Sequence, residues 1–503
     1  MVLLAVPGIA QSKRVLIIAD TARHWHGALK SRLEGAGYAV GGQYAGAPAV
    51  DSLDRLLAIE GWRSGKALAA RSATGIPPLD GAPDLLIDLR AISVVRDVPV
   101  LTLELGGRRA LGPAIADVFS GATHVELTVQ LDGVAVAVAR PMLGDRIWLS
   151  RVMDSVLEGA ISLLVQSTGR HFAGRLLPLT AETAIATADR PLASTYLAAL
   201  VAGLSARLLA KFTRQRPFYW QVAYRRIDGP GVAETGRLDG VPFTILPDDG
   251  QRFYADPFVI QRDGRHYLFV EEYPYSTGRG VISVAELGDN GTFGTPRIVL
   301  KEPHHLSYPQ IFADQGDMFM LPESSGSREL VLYRAEHFPD RWVRDTVLLA
   351  DRDVNDATLL IRDGRYWLFA SERLGHGSAS DTLSVFTALS LRGPWQPHRD
   401  NPLAIDLSAA RPGGAVITSI GEQPMLPVQD GRGGYGSGLG LMTLARLDDD
   451  SVQFERPRPV HTGTAWPGRG IHTLNRAGQI EVVDSVGALR LEHAAARLPD
   501  RGG

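Results

Sequence analysis

The feature that most constrains this chain is a repeat in its second half. Five segments, YADPFVIQRDGRHYLFVEE, LSYPQIFADQGDMFMLPES, NDATLLIRDGRYWLFASE, ARPGGAVITSIGEQPMLPVQD and GIHTLNRAGQIEVVDS, open units near 256, 308, 356, 411 and 471, spaced 52, 48, 55 and 60 residues apart. The first and third read as two apolar strands joined by Asp263-Gly264 and Asp363-Gly364 turns, and runs such as GVISVAEL, ELVLYRAEHF and TLSVFTAL follow as outer strands. The period is that of a four-stranded propeller blade, and a β-sandwich has no need of five hairpins in phase. Residues 241–495 are therefore expected to form an all-β five-bladed propeller.

The first half has a different period. RVLIIAD, from Arg14, is a continuous apolar run of the kind buried in a parallel sheet, and TARHWHGALKSRLEGAGYAV adds a helix and a second strand. DLLIDLR and VPVLTLEL read as strands, VELTVQLDGVAVAVARPML as a hairpin turning at Asp132-Gly133, and a long helix runs from Arg151 to about Ser167. This predicts an α/β open-sheet domain over 1–185. Residues 186–240, with TYLAALVAGLSARLLAKF and RQRPFYWQVAYRR, fit neither period and read as a helical connector. Its helix either packs between domains or lies on a membrane surface, with Leu on one side and Lys211, Arg214 and Arg216 near its end.

Composition excludes several functions. Lys+Arg is 52 against Asp+Glu 55, with no block of like charge, so a nucleic-acid partner is not expected. The absence of cysteine removes disulfides, thiolate metal sites and a Cys nucleophile, and no metal is expected. In MVLLAVPGIAQSKR the apolar run precedes the basic pair, the reverse of a secretory signal, and Arg207 breaks the long apolar stretch from Tyr196 to Phe212; the expected location is cytoplasmic. No GxSxG, P-loop or HExxH motif occurs, and no motif specifies a cofactor.

In a propeller the first strand of each blade lines the channel and the second runs back beside it, so the start of one meets the end of the other. The residues so paired are Asp256 with Glu271 or Glu272, Tyr308 with Glu323, Asp356 with Glu372, Arg411 with Gln429 and Asp430, and His472 with Asp484. One mouth is thus ringed by carboxylates, one Arg and one His. Paired carboxylates are what glycosyl chemistry needs, one ionised and one with a raised pKa, whereas a phosphate-bearing donor needs cations. Asp263 and Asp363 only shape turns, while Asp256 and Asp356 start apolar strands. The blade-end acids Glu272, Glu323 and Glu372 recur in phase, either as channel acids or as a repeat-wide bond to the next blade. His304 and His305 fall in a rim loop, PHHLSYP, and Phe253, Tyr254, Tyr273, Tyr275, Tyr308 and Trp466 supply aromatic faces for a sugar or for packing.

The run YADPFVIQRDGRHYLFVEEYPYSTGRGVISVAE, with EPHHLSYPQIF, MLPESS, ELVLYRA, FPDRW and NDATLLIRDGRYWLFASE, resembles the N-terminal region of the plant glucosamine inositolphosphorylceramide transferases and their bacterial relatives, which are often fused to a formyltransferase-like domain. More distantly the same half resembles the five-bladed arabinanase, xylosidase and invertase-type glycosidases. That resemblance implies Asp256 as base and Asp356 as the acid that tunes it. Arg411 stands about where the family's third acid would be, and with His472 it looks more like the phosphate-holding pair of propeller sugar phosphorylases. The first half resembles the formyltransferase fold through RVLIIAD, DLLIDL and the hairpin before a long helix, but that family's Asn, His and Asp around an SLLP stretch have no counterpart.

The reading is a carbohydrate-active protein of envelope polysaccharide or glycolipid metabolism that transfers or cleaves a glycosyl unit. Its ligand is a sugar, glycan or sugar phosphate, with contact to a membrane or glycolipid as a further expectation. Asp256, Asp356 and Glu323 are the catalytic candidates, and Arg411, His472, Glu272, Glu372, Tyr308 and His305 the substrate-binding ones. The alternatives are a non-catalytic glycan-binding or scaffold module, and formyl transfer by the first domain through His24 or His26.

Overall fold

The computed structural model describes residues 12–46, 50–64, 67–92, 97–179, 190–212, 219–418, 423–466 and 470–487. The chain divides into two compact units, 1–208 and 209–503.

The first unit is built on a six-stranded sheet of β1 (Arg14–Ala19), β2 (Ala39–Tyr44), β3 (Leu85–Asp88), β4 (Val100–Leu105), β5 (Leu127–Leu131) and β6 (Val134–Ala139), in the order β2-β1-β3-β4-β5-β6. The first four strands are parallel and β4, β5 and β6 antiparallel. The apolar runs are buried by helices α1 (His24–Gly35), α2 (Ser52–Ser64), α3 (Leu111–Phe119) and α4 (Leu149–Phe172), with Ile17, Leu29, Leu85, Leu101 and Leu157 wholly inside. Arg32 of α1 reaches Glu158 and Ser162 of α4. From β1 the chain winds outward to β2 and then back to β3 and β4 on the other side, which leaves a crevice at the carboxyl ends of those strands.

Helix α5 (Leu192–Phe212) sits against the first unit through Tyr196, bonded to Glu60, and Arg207, 2.7 Å from Asp145. Leu197, Val201, Leu204 and Leu208, spaced as one helical face, are exposed. Its stretch Leu192–Leu209 is, by length and composition alone, long and apolar enough to cross a membrane; Arg207 does not end it, contrary to the expectation from sequence. Arg214 and Arg216, and the side chain of Lys211, lie outside the described residues.

The second unit is a propeller of five sheets. Blade one is Arg252–Arg262, Arg265–Pro274, Val281–Glu286 and Arg297–Leu300; blade two Ser307–Asp314, Asp317–Glu323, Glu329–His337 and Arg341–Ala350. Blade three starts Val354–Arg362, Arg365–Glu372 and Thr382–Ala388, and blade four is built on Met425–Gln429 and Leu439–Leu447, with its first strand reduced to bridges at Pro412 and Ile417. Blade five joins Thr473–Ala477 and Ile480–Val486 to Trp220–Arg226 and Thr244–Ile245. The ring is therefore closed by chain that precedes blade one. The segment WQVAYRR, placed in the connector from sequence, is the third strand of blade five, because its partner from Ile480 to Val486 is too distant in sequence for any local period to reveal.

Three blades share a local device. Asp256, Tyr308 and Asp356 have φ of 49°, 47° and 50°, and the register of each hairpin slips beside them. This bulge turns the backbone amide toward the neighbouring blade. Asp256 N–H donates to Asp484 Oδ2 (2.8 Å), Tyr308 N–H to Asp256 Oδ2 (3.2 Å) and Asp356 N–H to Glu323 Oε2 (3.3 Å). Aspartate tolerates the left-handed region, whereas a tyrosine there is strained. Tyr308 is held by its hydroxyl, which accepts Gly414 N–H at 2.6 Å and lies 2.9 Å from Thr358 Oγ1, and by the edge of Phe258.

Candidate active site

Strand parity decides which acids face the channel. Glu271 pairs with Ala255 and Glu272 with Tyr254, whereas Glu323 pairs with Ser307, the residue before Tyr308 as Ala255 is the residue before Asp256. Glu323 is therefore the counterpart of Glu271, and Glu372, opposite Val354, the counterpart of Glu272. Adjacent strand residues point to opposite faces, so the two classes do different work. Glu272 bonds Arg252 and Ser283 Oγ (2.6 Å); Glu372 bonds Arg352 (2.5 Å) and Ser384 Oγ (2.9 Å). Both are buried in matching clamps inside their own blades and neither lines the mouth, a correction to their place among the binding candidates. Tyr308 is likewise fully buried by the strain-relieving bonds described above.

The mouth is a cavity of about 560 Å³ lined by Asp256, Glu271 and Glu323, by Arg373, Arg411 and His305, and by the aromatic rings of Trp220, Phe253, Tyr273, Tyr275 and Tyr435. Phe253 and Tyr273 stack at 4.8 Å, and Trp220 comes from the ring-closing strand. Asp356 and His472 lie behind this wall, each 2% exposed. Arg411 bridges the two layers. Its Nε is 2.6 Å and its Nη2 3.2 Å from the Asp356 carboxylate, and Nη2 is 3.3 Å from Glu323 Oε2. Gln429 Nε2 donates to Asp356 Oδ2 at 2.7 Å. Glu323 accepts from Arg411 and the Asp356 amide on one oxygen and from Ser325 Oγ (2.9 Å) on the other.

His472 spans two acids, with Nδ1 2.6 Å from Asp484 Oδ1 and Nε2 3.3 Å from Asp256 Oδ1. Burial would lower its pKa, but Asp484 and Asp256 outweigh burial and raise it to about 10, so it is an imidazolium. Burial likewise would raise the Asp256 carboxyl, yet His472, Arg411 and the Tyr308 amide together hold it below the usual carboxylate value. Glu271 is the opposite case: burial first, then the charges of Asp256 and Glu323, push it well above the usual value against the pull of His472. Gly280 N–H donates to His305 Nδ1 (2.9 Å), which leaves the ring proton on Nε2, 3.3 Å from Glu271 Oε1. The mouth thus sets a carboxyl held low, Asp256, beside one pushed up, Glu271.

Of the sequence candidates, Asp256, Glu323, Arg411 and His305 meet at the cavity, and Asp356 and His472 support it from behind. Arg411, expected with His472 to hold an anion, lines the cavity but is shared between Asp356 and Glu323, and His472, behind it, is shared between Asp256 and Asp484. Sequence reasoning passed over Glu271 in favour of Glu272; the signal available was parity, since Glu271 and Glu323 share a position once the bulges are aligned. Asp256, His472 and Asp484 offer ligand atoms within 4.8 Å of one another, but His472 would have to release one of the two ring protons that it gives to these acids before a cation could sit there.

Residues 247–488 match the family model of the N-terminal region of glucosamine inositolphosphorylceramide transferase 1. The protein of that name from Oryza sativa subsp. japonica is 35% identical over 235 residues, covering 44% of this chain and 31% of the relative. The one from Arabidopsis thaliana is 37% identical over 153 residues, covering 30% of this chain and 20% of the relative. The chain thus spans less than a third of the length of these curated plant relatives, and the match lies in the propeller half. Among solved structures, a putative glycosidase from Bacteroides thetaiotaomicron aligns with a TM-score of 0.36 at 13% identity, over 52% of this chain and 96% of the other. An exo-β-1,3-galactanase from Phanerochaete chrysosporium aligns with a TM-score of 0.33 at 15% identity, over 42% and 53%.

Proposed function

We propose that the propeller is a carbohydrate-active module that seats a sugar in its mouth and transfers or cleaves the glycosyl unit. The observation that carries this reading is that Asp256, its carboxyl held low by His472 and Arg411, and Glu271, pushed up by burial and by Asp256, share one aromatic-walled cavity. Asp256 acts as base or nucleophile and Glu271 protonates the leaving oxygen. Asp356 and His472 are positioning residues, the first through Arg411 and the second by keeping Asp256 charged. Phe253 and Tyr273 offer stacked rings for a sugar face.

With Arg411 and His472 each shared between two acids and Arg373, the mouth's other arginine, paired with Asp353 at 3.0 Å, the mouth favours a neutral or amine-bearing sugar over a phosphate-linked group. The relatives are named for glucosamine and inositolphosphorylceramide, and an amine suits three acids facing cations that are already paired. The apolar exposed face of α5 supports contact with a membrane or with the lipid of an acceptor. The first unit is read as a docking or presenting domain rather than a formyltransferase. Its His26, lowered to about 3 by burial and then by Arg23, stays neutral.

The test is turnover of a panel of glycans and nucleotide sugars by wild type, Asp256→Asn and Glu271→Gln, followed by mass spectrometry. Both variants should lose on the order of 10²–10⁴-fold in rate, and Glu271→Gln should also remove the alkaline limb of the pH profile. Full activity in Asp256→Asn removes that residue from the mechanism. Sugar binding without turnover by wild type selects the second reading, a glycan-binding module. That reading is favoured by one observation: Asp256 already serves as acceptor for the next blade's amide.

A further inference from the structure

The crevice of the first unit has a chemistry that the propeller reading does not use. It measures about 350 Å³ and lies at the carboxyl ends of β1, β3 and β4, where α1 and α3 begin; Thr21, Trp25, Arg109 and Gly112 are among its lining. Open α/β sheets bind ligands at such a point, but position alone is weak evidence. The stronger observation is a set of unpaired polar atoms. Among the described residues, Thr21 Oγ1, Trp25 Nε1 and Arg109 Nε are buried with no hydrogen-bond partner, and all three residues line this crevice. Trp25 is only 3% exposed and its indole N–H can only donate. Buried donors are nearly always paired in folded proteins, so three on one cavity point to acceptor atoms brought from outside the chain.

Charge points the same way. Arg109 gives Nη2 to the Asp88 carbonyl (2.5 Å), but its nearest carboxylate, Asp88 at 3.8 Å, is held on both oxygens by Arg90 at 2.9 Å. Burial is the largest influence on Arg109 and draws it below its ordinary pKa against the pull of Asp88 and Glu104, so its charge is under-compensated. The other cation of the crevice, Arg23, is committed to Asp54 (3.0 Å) and the Ala69 carbonyl (2.5 Å). Helix α3 starts at Leu111 with no side-chain cap, and its first residues line the crevice, adding a partial positive charge. Two carboxylates also line it. Asp20 accepts Ala91 N–H (3.2 Å) and Asp51, exposed at the rim, accepts Asp54 N–H (2.8 Å). They disfavour a polyanion and suit a hydroxyl or amine on the far side of the ligand.

We propose that this crevice is a second ligand site, one that takes a small molecule bearing a single anionic group, a carboxylate or a phosphate monoester, with that group against Arg109, Thr21 and Trp25. The site stands independently of the glycosyl reading of the propeller. It is tested on the full chain by calorimetric titration with inorganic phosphate and, separately, with acetate, at ionic strength fixed by sodium chloride. Wild type should bind one equivalent of at least one anion. Arg109→Gln should weaken it tenfold or more and Trp25→Phe severalfold, while Asp256→Asn in the propeller binds as wild type. Amides of residues 19–26 and 106–113 should exchange more slowly with the anion present. Tighter phosphate identifies a phosphate monoester as the ligand class, and tighter acetate a carboxylate. The proposal is overturned if neither anion binds wild type, if Trp25→Phe and a folded Arg109→Gln both bind normally, or if Asp256→Asn abolishes binding. Should Arg109→Gln fail to fold, the conservative Trp25→Phe decides.

Discussion

Replacing His472 with Gln should remove most of the dependence of propeller stability on alkaline pH. The imidazolium is fully enclosed, 2.6 Å from Asp484 and 3.3 Å from Asp256, and its pKa is raised from 6.5 to about 10. A group held above its unfolded pKa contributes stability that is whole below about pH 6.5 and is lost as pH rises through about 10. At about 1.4 kcal/mol per pH unit that interval corresponds to roughly 5 kcal/mol, an order of magnitude for a group so tightly coupled to two acids. Near pH 7 the substitution should itself cost about 3–5 kcal/mol, because Asp256 and Asp484 are left buried without their shared cation. The assay is urea denaturation from pH 6 to 10.5 at constant ionic strength. It is followed by near-UV circular dichroism, to which Trp220, with its ring 4.2 Å from His472, contributes. Wild type should weaken steadily across the upper part of this range and His472→Gln should not. Parallel slopes in the two proteins would refute the bridging imidazolium.

Arg411→Met should lose about 3–5 kcal/mol in urea, since Asp356 and Glu323 would both face a buried gap in charge; Arg411→Lys should recover only part, because an ammonium cannot fork across two acids. Glu272→Gln should destabilise by about 1–3 kcal/mol through Arg252 and Ser283, with sugar affinity by calorimetry as in wild type; lost affinity would return Glu272 to the mouth. Gly414→Ala should cost about 1–3 kcal/mol in thermal melts. The residue sits at φ 143°, its Cβ would run into the Leu474 carbonyl, and its amide bonds Tyr308.

Much of the propeller is legible in sequence because a blade is a local object. Its first two strands are hairpin neighbours, and the Asp-Gly turns at 263 and 363 and the apolar runs flanking them recur at a period that only one architecture explains. The αL aspartates were also visible as acids at strand starts, although the bulge that places Tyr308 in the same conformation was not. Glu272 and Glu372 illustrate the limit. They recur in phase as strongly as any site residue would, because a repeat-wide clamp and a repeat-wide site leave the same trace in a sequence. Glu271, one position away, could be told from them only after the registers showed that the strand slips by a residue at each bulge.

The sequence by itself determined the number of blades, the α/β character of the first unit and the placing of Asp256 and Asp356 on the first strands of their blades, since periodicity and turn chemistry act over a few residues, although both acids sit inside those strands at bulges rather than at their starts. The tertiary structure alone decided ring closure by Trp220–Arg226, the sharing of Arg411 between Asp356 and Glu323, and the capture of His472 by two acids. Those contacts join residues tens to hundreds of positions apart. The charge on a buried group depends on what the fold places within a few ångströms of it, which no local pattern encodes.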